Sequence, residues 1–402
     1  MSNNSDKGTR NLNVPTLRFP EFEGEWEKKQ ILEVANIIGG GTPDTTIPLF
    51  WNGAIQWFTP SEIGKSKYVD LSKRTITEEG LKKSSTKILP KGSILLSTRA
   101  TIGECSICKM ECTTNQGFQS LVPKEIIDNE FMYYQVLTLK NELIRKSSGS
   151  TFLEISANEL RKLFIRLPHK IEQTKIADFL SLIDQRISTQ NKIIESLESL
   201  IKGLTNQIIN SLCDKQLTLF QNLYERAGEG GTPSTSVKEF YEDGHIPFIK
   251  IEDLYKKYLT HNKDFITEKG VEKSSAWIIS PNSIIFSNGA TIGAISISTY
   301  PVCTKQGILG IEVKKKINVE YLYYLMSSSF FKKEICRIVT EGTMKTAYLK
   351  DINLIKCPIP SEKEQNEIAD LLSSLTAKFE TEKNILSALQ KQKGYLLQTM
   401  FI

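Results

Sequence analysis

The sequence predicts an α+β protein: two tandem α/β domains, each followed by a long helix, with the two helices pairing as an antiparallel coiled coil of pseudo-two-fold symmetry. Three observations predict it. The chain has 402 residues, more than one hydrophobic core usually organises. ITEEGLKKSS at 76–85 returns as ITEKGVEKSS at 266–275, identical at seven of ten positions. Each copy then runs into apolar residues spaced alternately by three and four, the pattern of a helix that buries one stripe.

The repeat fixes the domain organisation. An offset of 190 carries Ile76 onto Ile266, GGTP at 40–43 onto 230–233, and ATIG at 100–103 onto 290–293. Near the end of the copy the offset becomes 192, where EQTKIADFL at 172–180 meets EQNEIADLL at 364–372, a loop indel in an otherwise constant register. The expected boundaries are a disordered tail over 1–15, a first domain over 16–168, a long helix over 169–214, a second domain over 215–358 and a second helix over 359–402. Short β-rich runs such as GSILLST and NSIIFSN, punctuated by Gly and Pro, mark each domain as mixed α and β.

The first helical seam is Ile176, Leu180, Ile183, Ile187, Ile194, Leu197, Ile201 and Leu204, interrupted at Gln190. The second is Ile368, Leu372, Leu375, Phe379, Leu386, Leu389 and Leu396, with Glu382 where Gln190 stood. Ser361 and Glu364 form a capping-box pair behind Pro358 and Pro360, which keep the preceding chain extended. At about 1.5 Å per residue, helices of roughly 35 to 40 residues span on the order of 55 Å and need a partner for their stripe. They are expected to bury it against each other.

Composition excludes little by itself. A net charge of +5 permits nucleic acid without demanding it. The absence of an apolar N-terminal core and of any run of eighteen apolar residues predicts a cytoplasmic protein that does not enter a membrane, with its seven cysteines as reduced thiols. No G-x-x-x-x-G-K-[ST] string cradles a phosphate, and the glycines at 39–41 and 230–231 lead into Thr-Pro, as tight turns do. Cys105, Cys108 and Cys112 suggest a metal, but their counterparts are Ile295, Ser298 and Val302, so buried strand thiols are the expectation and metal ligands are expected to number none. No histidine recurs between copies, and no catalytic residue is assigned.

Two similar domains related by two-fold symmetry suit a duplex read at two half-sites. Candidate contacts are the polar residues of the loops around the shared framework: Thr42, Lys65, Lys67, Arg99, Asn115, Gln116, Ser150 and Thr151 in the first copy, and Thr232, Lys250, Asn288, Lys305, Gln306, Thr343 and Lys345 in the second. Arg, Lys, Asn and Gln can address base edges, while Lys65, Lys67, Lys250, Lys256 and Lys257 are expected nearer phosphates. Arg99 corresponds to Gly289 and Asn115 to Lys305, a constant scaffold with altered polar tips.

WEKKQILEVANIIGGGTP at 26–43, ILPKGSILLSTRATIG at 88–103, TNQGFQSL at 114–121, GSTFLEISANEL at 149–160 and IRLPHKIEQTKIADFLSLIDQRI at 165–187, with CPIPSEKEQNEIADLLSSL at 357–375, together resemble the specificity (S) subunit of type I restriction-modification systems, the HsdS family. P-x-x-x-E-Q-x-x-I-A, found twice at the helix starts, is the most specific element. The resemblance implies two target-recognition domains, each reading one half of a bipartite, asymmetric site in double-stranded DNA, and paired helices that set the spacing. It also implies two modification (M) subunits that carry S-adenosylmethionine and methylate adenine. Restriction (R) subunits, up to two, would bring ATP with Mg, and this chain itself would bind no cofactor. Two other readings stay open: a self-contained DNA methyltransferase or nuclease, and a coiled-coil scaffold for protein partners.

Overall fold

The computed structural model describes residues 13–149, 153–213, 217–289, 291–339 and 345–402. The chain separates into two compact units, one formed by residues up to Asn191 with Ile385–Ile402, the other by Lys192–Asn384. The tail expected over 1–15 lies outside the described residues up to position 12. At its inner end Asn13 is already fixed, its carbonyl accepting from the Trp26 amide at 2.9 Å and its side chain from Arg166 at 3.0 Å.

In the first unit a five-stranded sheet runs in the order Ala35–Gly39, Gln119–Pro123, Ile94–Leu96, Cys105–Cys108, Tyr68–Val69, all neighbours antiparallel except the last pair. A three-stranded sheet places Trp51–Phe58 between Arg74–Ile76 and Cys112–Thr114. Glu27–Gln30 pairs with Phe164–Leu167 just before the long helix. The second unit repeats all three sheets in the same order: Tyr224–Glu229, Ile308–Val313, Ile284–Ser287, Ile295–Ser298 and Tyr258–Leu259; Asp264–Ile266, Ile246–Ile249 and Cys303–Thr304; Leu217–Leu219 with Lys356–Pro358. Central strands such as Ile94–Leu96 and Ile284–Ser287 are buried on both faces, which is why they read as unbroken apolar runs.

The duplicated decapeptide has a local explanation. Arg74–Ile76 ends as a strand, the Thr77 hydroxyl accepts from the Gly80 amide at 3.0 Å, and Glu78–Lys82 forms one short helix. Thr267 caps Glu268–Glu272 through Gly270 in the same way. A Cβ on Gly80 would sit 2.4 Å from the Phe50 carbonyl oxygen, so only glycine fits under that turn.

The long helices run Lys170–Leu212 and Glu362–Thr399. Ser361 caps the second as the sequence predicts: its hydroxyl accepts from the Glu364 amide at 3.3 Å, and the Glu364 carboxylate accepts from the Ser361 amide at 3.1 Å. The seam residues are all buried or half-buried. Each unit takes a segment of both helices into its core. In the first, Ile176, Leu180 and Ile183 join Leu96, Leu121, Phe131 and Tyr134 together with Leu396, Met400 and Phe401. In the second, Ile209 and Leu212 join Phe286, Leu309, Tyr321 and Phe331 together with Ala369. The start of one helix thus lies with the end of the other, an antiparallel arrangement. Among the described residues, no helix is long and apolar enough to cross a membrane.

Candidate nucleic-acid interface

Four segments of the first unit converge at one edge, framed by backbone bonds. The Gly41 amide donates to the Thr114 carbonyl at 2.9 Å, the Thr98 amide to the Gly117 carbonyl at 2.9 Å, and the Asn115 amide to the Phe58 carbonyl at 3.0 Å. Ile155 reaches the Thr98 carbonyl at 3.3 Å and brings in the segment after the long loop. The Trp57 indole N–H donates to the Gly41 carbonyl at 2.9 Å and pins the GGTP turn. The second unit builds the same edge: the Gly230 amide donates to the Ile308 carbonyl at 2.9 Å, Asn288 to Gly307 at 3.0 Å, Lys305 to Ile249 at 3.0 Å and Ala347 to Asn288 at 2.9 Å.

What this framework displays differs between the units. In the first, Arg99 and Gln116 are exposed, Asn115 and Thr42 half-buried, and Thr42 is hydrogen-bonded to Gln116. Arg99 leans on Glu154, Nε to carboxylate 2.8 Å, and its side chain stays 44% exposed. In the second, Lys305, Gln306 and Lys345 are exposed, and Thr232 is half-buried, accepting from the Gln306 amide at 3.3 Å. Lys250 occupies the place of Thr59, and its hydrogen bond to Asp264, at 2.8 Å, holds the ammonium above its ordinary pKa. Lys65 is exposed in its loop. Ser150, Thr151 and Thr343 lie outside the described residues.

Three expected contacts are placed elsewhere. Asn288 is buried, with Nδ2 donating to the Ala347 carbonyl at 3.1 Å and its own carbonyl accepting from the Ala347 amide at 2.9 Å. Lys67, expected at phosphates, has a side chain only 7% exposed and is enclosed by Glu130 at 2.6 Å, Tyr134 at 3.2 Å and Ser181. Lys257, likewise expected at phosphates, is its equivalent, 5% exposed, with Glu320 at 2.8 Å, Tyr324 at 3.0 Å and Ser373 at 2.7 Å. Burial alone would raise the Glu130 and Glu320 carboxyls, but hydrogen bonds from lysine, tyrosine and serine outweigh it and hold both below their ordinary pKa.

The E-Q pair of the helix-start motif also becomes intelligible. Gln173, buried, accepts from the Asp128 amide at 2.8 Å and donates to the Ile126 and Pro168 carbonyls at 3.1 and 2.9 Å. Gln365 makes the corresponding bonds to the Asn318 amide at 2.9 Å and the Pro360 carbonyl at 3.0 Å. Each clamps its long helix to the turn that precedes a domain helix. Gln173→Ala strands a buried amide and two carbonyls and is expected to cost roughly 2 to 4 kcal/mol. Thermal unfolding of the variant checks this, and an unchanged transition would show that water replaces the amide without loss.

Neither the lysine networks nor the glutamine clamps stand out in one copy. They could have been found from their offsets, since Lys67, Tyr68, Glu130 and Tyr134 all recur 190 positions later and Ser181 and Gln173 recur 192 later.

Residues 23–199 and 223–391 match the family described as type I restriction modification DNA specificity domain. The type I restriction enzyme MjaIX specificity subunit of Methanocaldococcus jannaschii is 29% identical over 397 residues, covering 93% of this chain and 92% of its own. Among solved structures, the type I restriction-modification S subunit from M. genitalium shares the fold over 97% of this chain and 99% of its own, at 19% identity and a TM-score of 0.59. A chain from a study of complex assembly and conformational transition of the type I R-M system does so over 93% and 97%, at 15% identity and 0.62. With the family matched across both repeats, the chain belongs to the type I restriction-modification specificity family and is a non-catalytic DNA-specificity subunit with two target-recognition domains and two long helices.

Proposed function

We propose that each unit reads one half of a bipartite, asymmetric site in double-stranded DNA, through the edge where its four segments converge. One observation carries this reading: the backbone bonds Gly40–Phe118, Thr98–Gly117, Asn115–Phe58 and Ile155–Thr98 recur as Gly230–Ile308, Asn288–Gly307, Lys305–Ile249 and Ala347–Asn288, while the residues displayed there change from Arg99 and Asn115 to Gly289 and Lys305. A constant frame with exchanged donors and acceptors is what two different base sequences require. The long helices set the spacing between the halves and dock two M subunits, which supply S-adenosylmethionine and methylate adenine. R subunits, where they join, supply ATP- and Mg-dependent cleavage. The complex works in the cytoplasm.

The test is to co-express the chain with a type I M subunit in a methylation-free host and map N6-methyladenine across the genome. A split motif with a fixed spacer supports the reading. Co-purification of the subunits without new methylation would overturn the DNA-reading assignment and favour a scaffold.

Arg99→Ala in the same assay is expected to relax one position of one half-site and leave the other half intact, a loss of about 1 to 3 kcal/mol if the guanidinium leaves Glu154 to bridge a guanine. A uniform loss over all sequences would make Arg99 a phosphate contact instead.

A further inference from the structure

We infer that the enclosed ammonium groups of Lys67 and Lys257 are positioning groups that hold each recognition domain at one angle on its long helix, and so decide which spacer length the subunit accepts. The inference rests on the bipartite reading proposed above.

Lys67 comes from the edge strand region of the five-stranded sheet, Glu130 and Tyr134 from the domain helix Asn129–Thr138, and Ser181 from the long helix. An ammonium has three N–H donors, and here three acceptors from two helices take one each. Ser181 then donates to the second partner of the lysine, Glu130, at 2.7 Å, and Tyr68 closes the ring onto the same carboxylate. Apolar contacts around Leu180 tolerate a small slide or rotation, because they have no direction. A closed ring of charged hydrogen bonds does not, since turning the domain breaks several bonds together and leaves a charge buried without partners. Lys257, Glu320, Tyr324, Ser373 and Tyr258 repeat the ring, although the exposed tips of the two units differ. The tips vary while the mount is copied.

The first mount has an added link. Tyr134 donates to Asp184 at 2.6 Å, and Asp184 pairs with Lys393 of the second long helix at 2.6 Å, so that the ring ties the first domain to both helices. At the corresponding place Tyr324 meets the Thr376 hydroxyl at 2.8 Å.

The experiment measures adenine methylation by the complex with M subunits on duplexes carrying both half-sites at the native spacer and at one base pair more or less. Lys67→Met with Glu130→Gln removes the ring without leaving an orphan charge. Asp184→Thr installs the residue type that the second unit carries at Thr376. The double variant is expected to reduce discrimination between spacers by at least about tenfold while each half-site keeps its base preferences, as breaking a coupled network does; Asp184→Thr is expected to act in the same direction more weakly. Lower rates with an unchanged spacer ratio in both variants would make the ring merely structural and overturn the inference, as would wild-type spacer behaviour in Lys67→Arg, whose planar fork cannot reproduce three divergent bonds. If the unaltered complex methylates no split site, the bipartite reading itself fails, a result seen before any variant is made.

Discussion

Phe401→Ala is expected to destabilise the first unit by about 3 kcal/mol, near the lower end for a buried aromatic because the chain end can relax into the space. Phe401 stacks on Phe131 at 5.2 Å between ring centroids and meets the edge of Trp26 at 6.4 Å, in the core that also takes Leu396 and Met400. The backbone reinforces the contact, with the Leu17 amide donating to the Thr399 carbonyl at 2.9 Å. For a unit of this size, 3 kcal/mol lowers the midpoint by roughly 6 to 12 °C. Tryptophan fluorescence separates the units, since Trp26, Trp51 and Trp57 report the first and Trp277 the second. In a Trp277→Phe background the remaining signal should melt earlier when Phe401 is shortened. Melting at an unchanged temperature would show that the C-terminal segment contributes nothing to the first core.

This closure has a kinetic consequence. Domains usually fold as the chain emerges, N-terminal first. Here the first core lacks Leu396, Met400 and Phe401 until residues some two hundred positions beyond its own strands have been made. The second unit, contained within Lys192–Asn384, has all its parts earlier. The first recognition domain is therefore completed last, although it is encoded first.

The repeat made much of this legible. An offset of 190 exposed the two domains, and alternating spacings of three and four exposed both helices, because helical burial writes itself into every turn. What the spacing could not show is which core each helix end enters. A seam residue such as Leu396 looks the same whether it faces a helix or, as here, a strand and an aromatic cluster as well. Lys67 was misplaced for a related reason. Lysine is almost always exposed unless paired, and its three acceptors lie 63, 67 and 114 positions away, a distance over which local pattern carries no information. Asn288 is held in the interior by Ala347, 59 positions further along the chain. GGTP recurs unchanged and TNQG returns as TKQG, and in each unit the two are wedged against each other.

That wedge gives the sharpest test of the interface. A Cβ on Gly40 would lie 1.9 Å from the Asn115 carbonyl oxygen and 2.6 Å from that of Thr114; on Gly230 it would lie 2.0 Å from the Thr304 oxygen. These neighbours are backbone, so no rotamer relieves the clash, and Gly40→Ala must push the turn away from the strand end that carries Asn115 and Gln116. Overpacking of this kind costs about 1 to 3 kcal/mol in stability. The effect on recognition is expected to be larger in consequence, because a displaced edge forfeits several base contacts at once, each worth about 1 to 3 kcal/mol. Methylation of the full site should fall by roughly a hundredfold or more, equivalent to about 3 kcal/mol, with sequence preference lost in the half read by the first unit and kept in the other. Gly230→Ala should do the reverse, erasing the second half and sparing the first. Gly203→Ala is the control, since a Cβ there meets nothing within 4 Å and the helix gains propensity. Equal damage to both half-sites from Gly40→Ala would mean that the two edges do not read independently, and that the converging loops are a shared structural support rather than two separate readers.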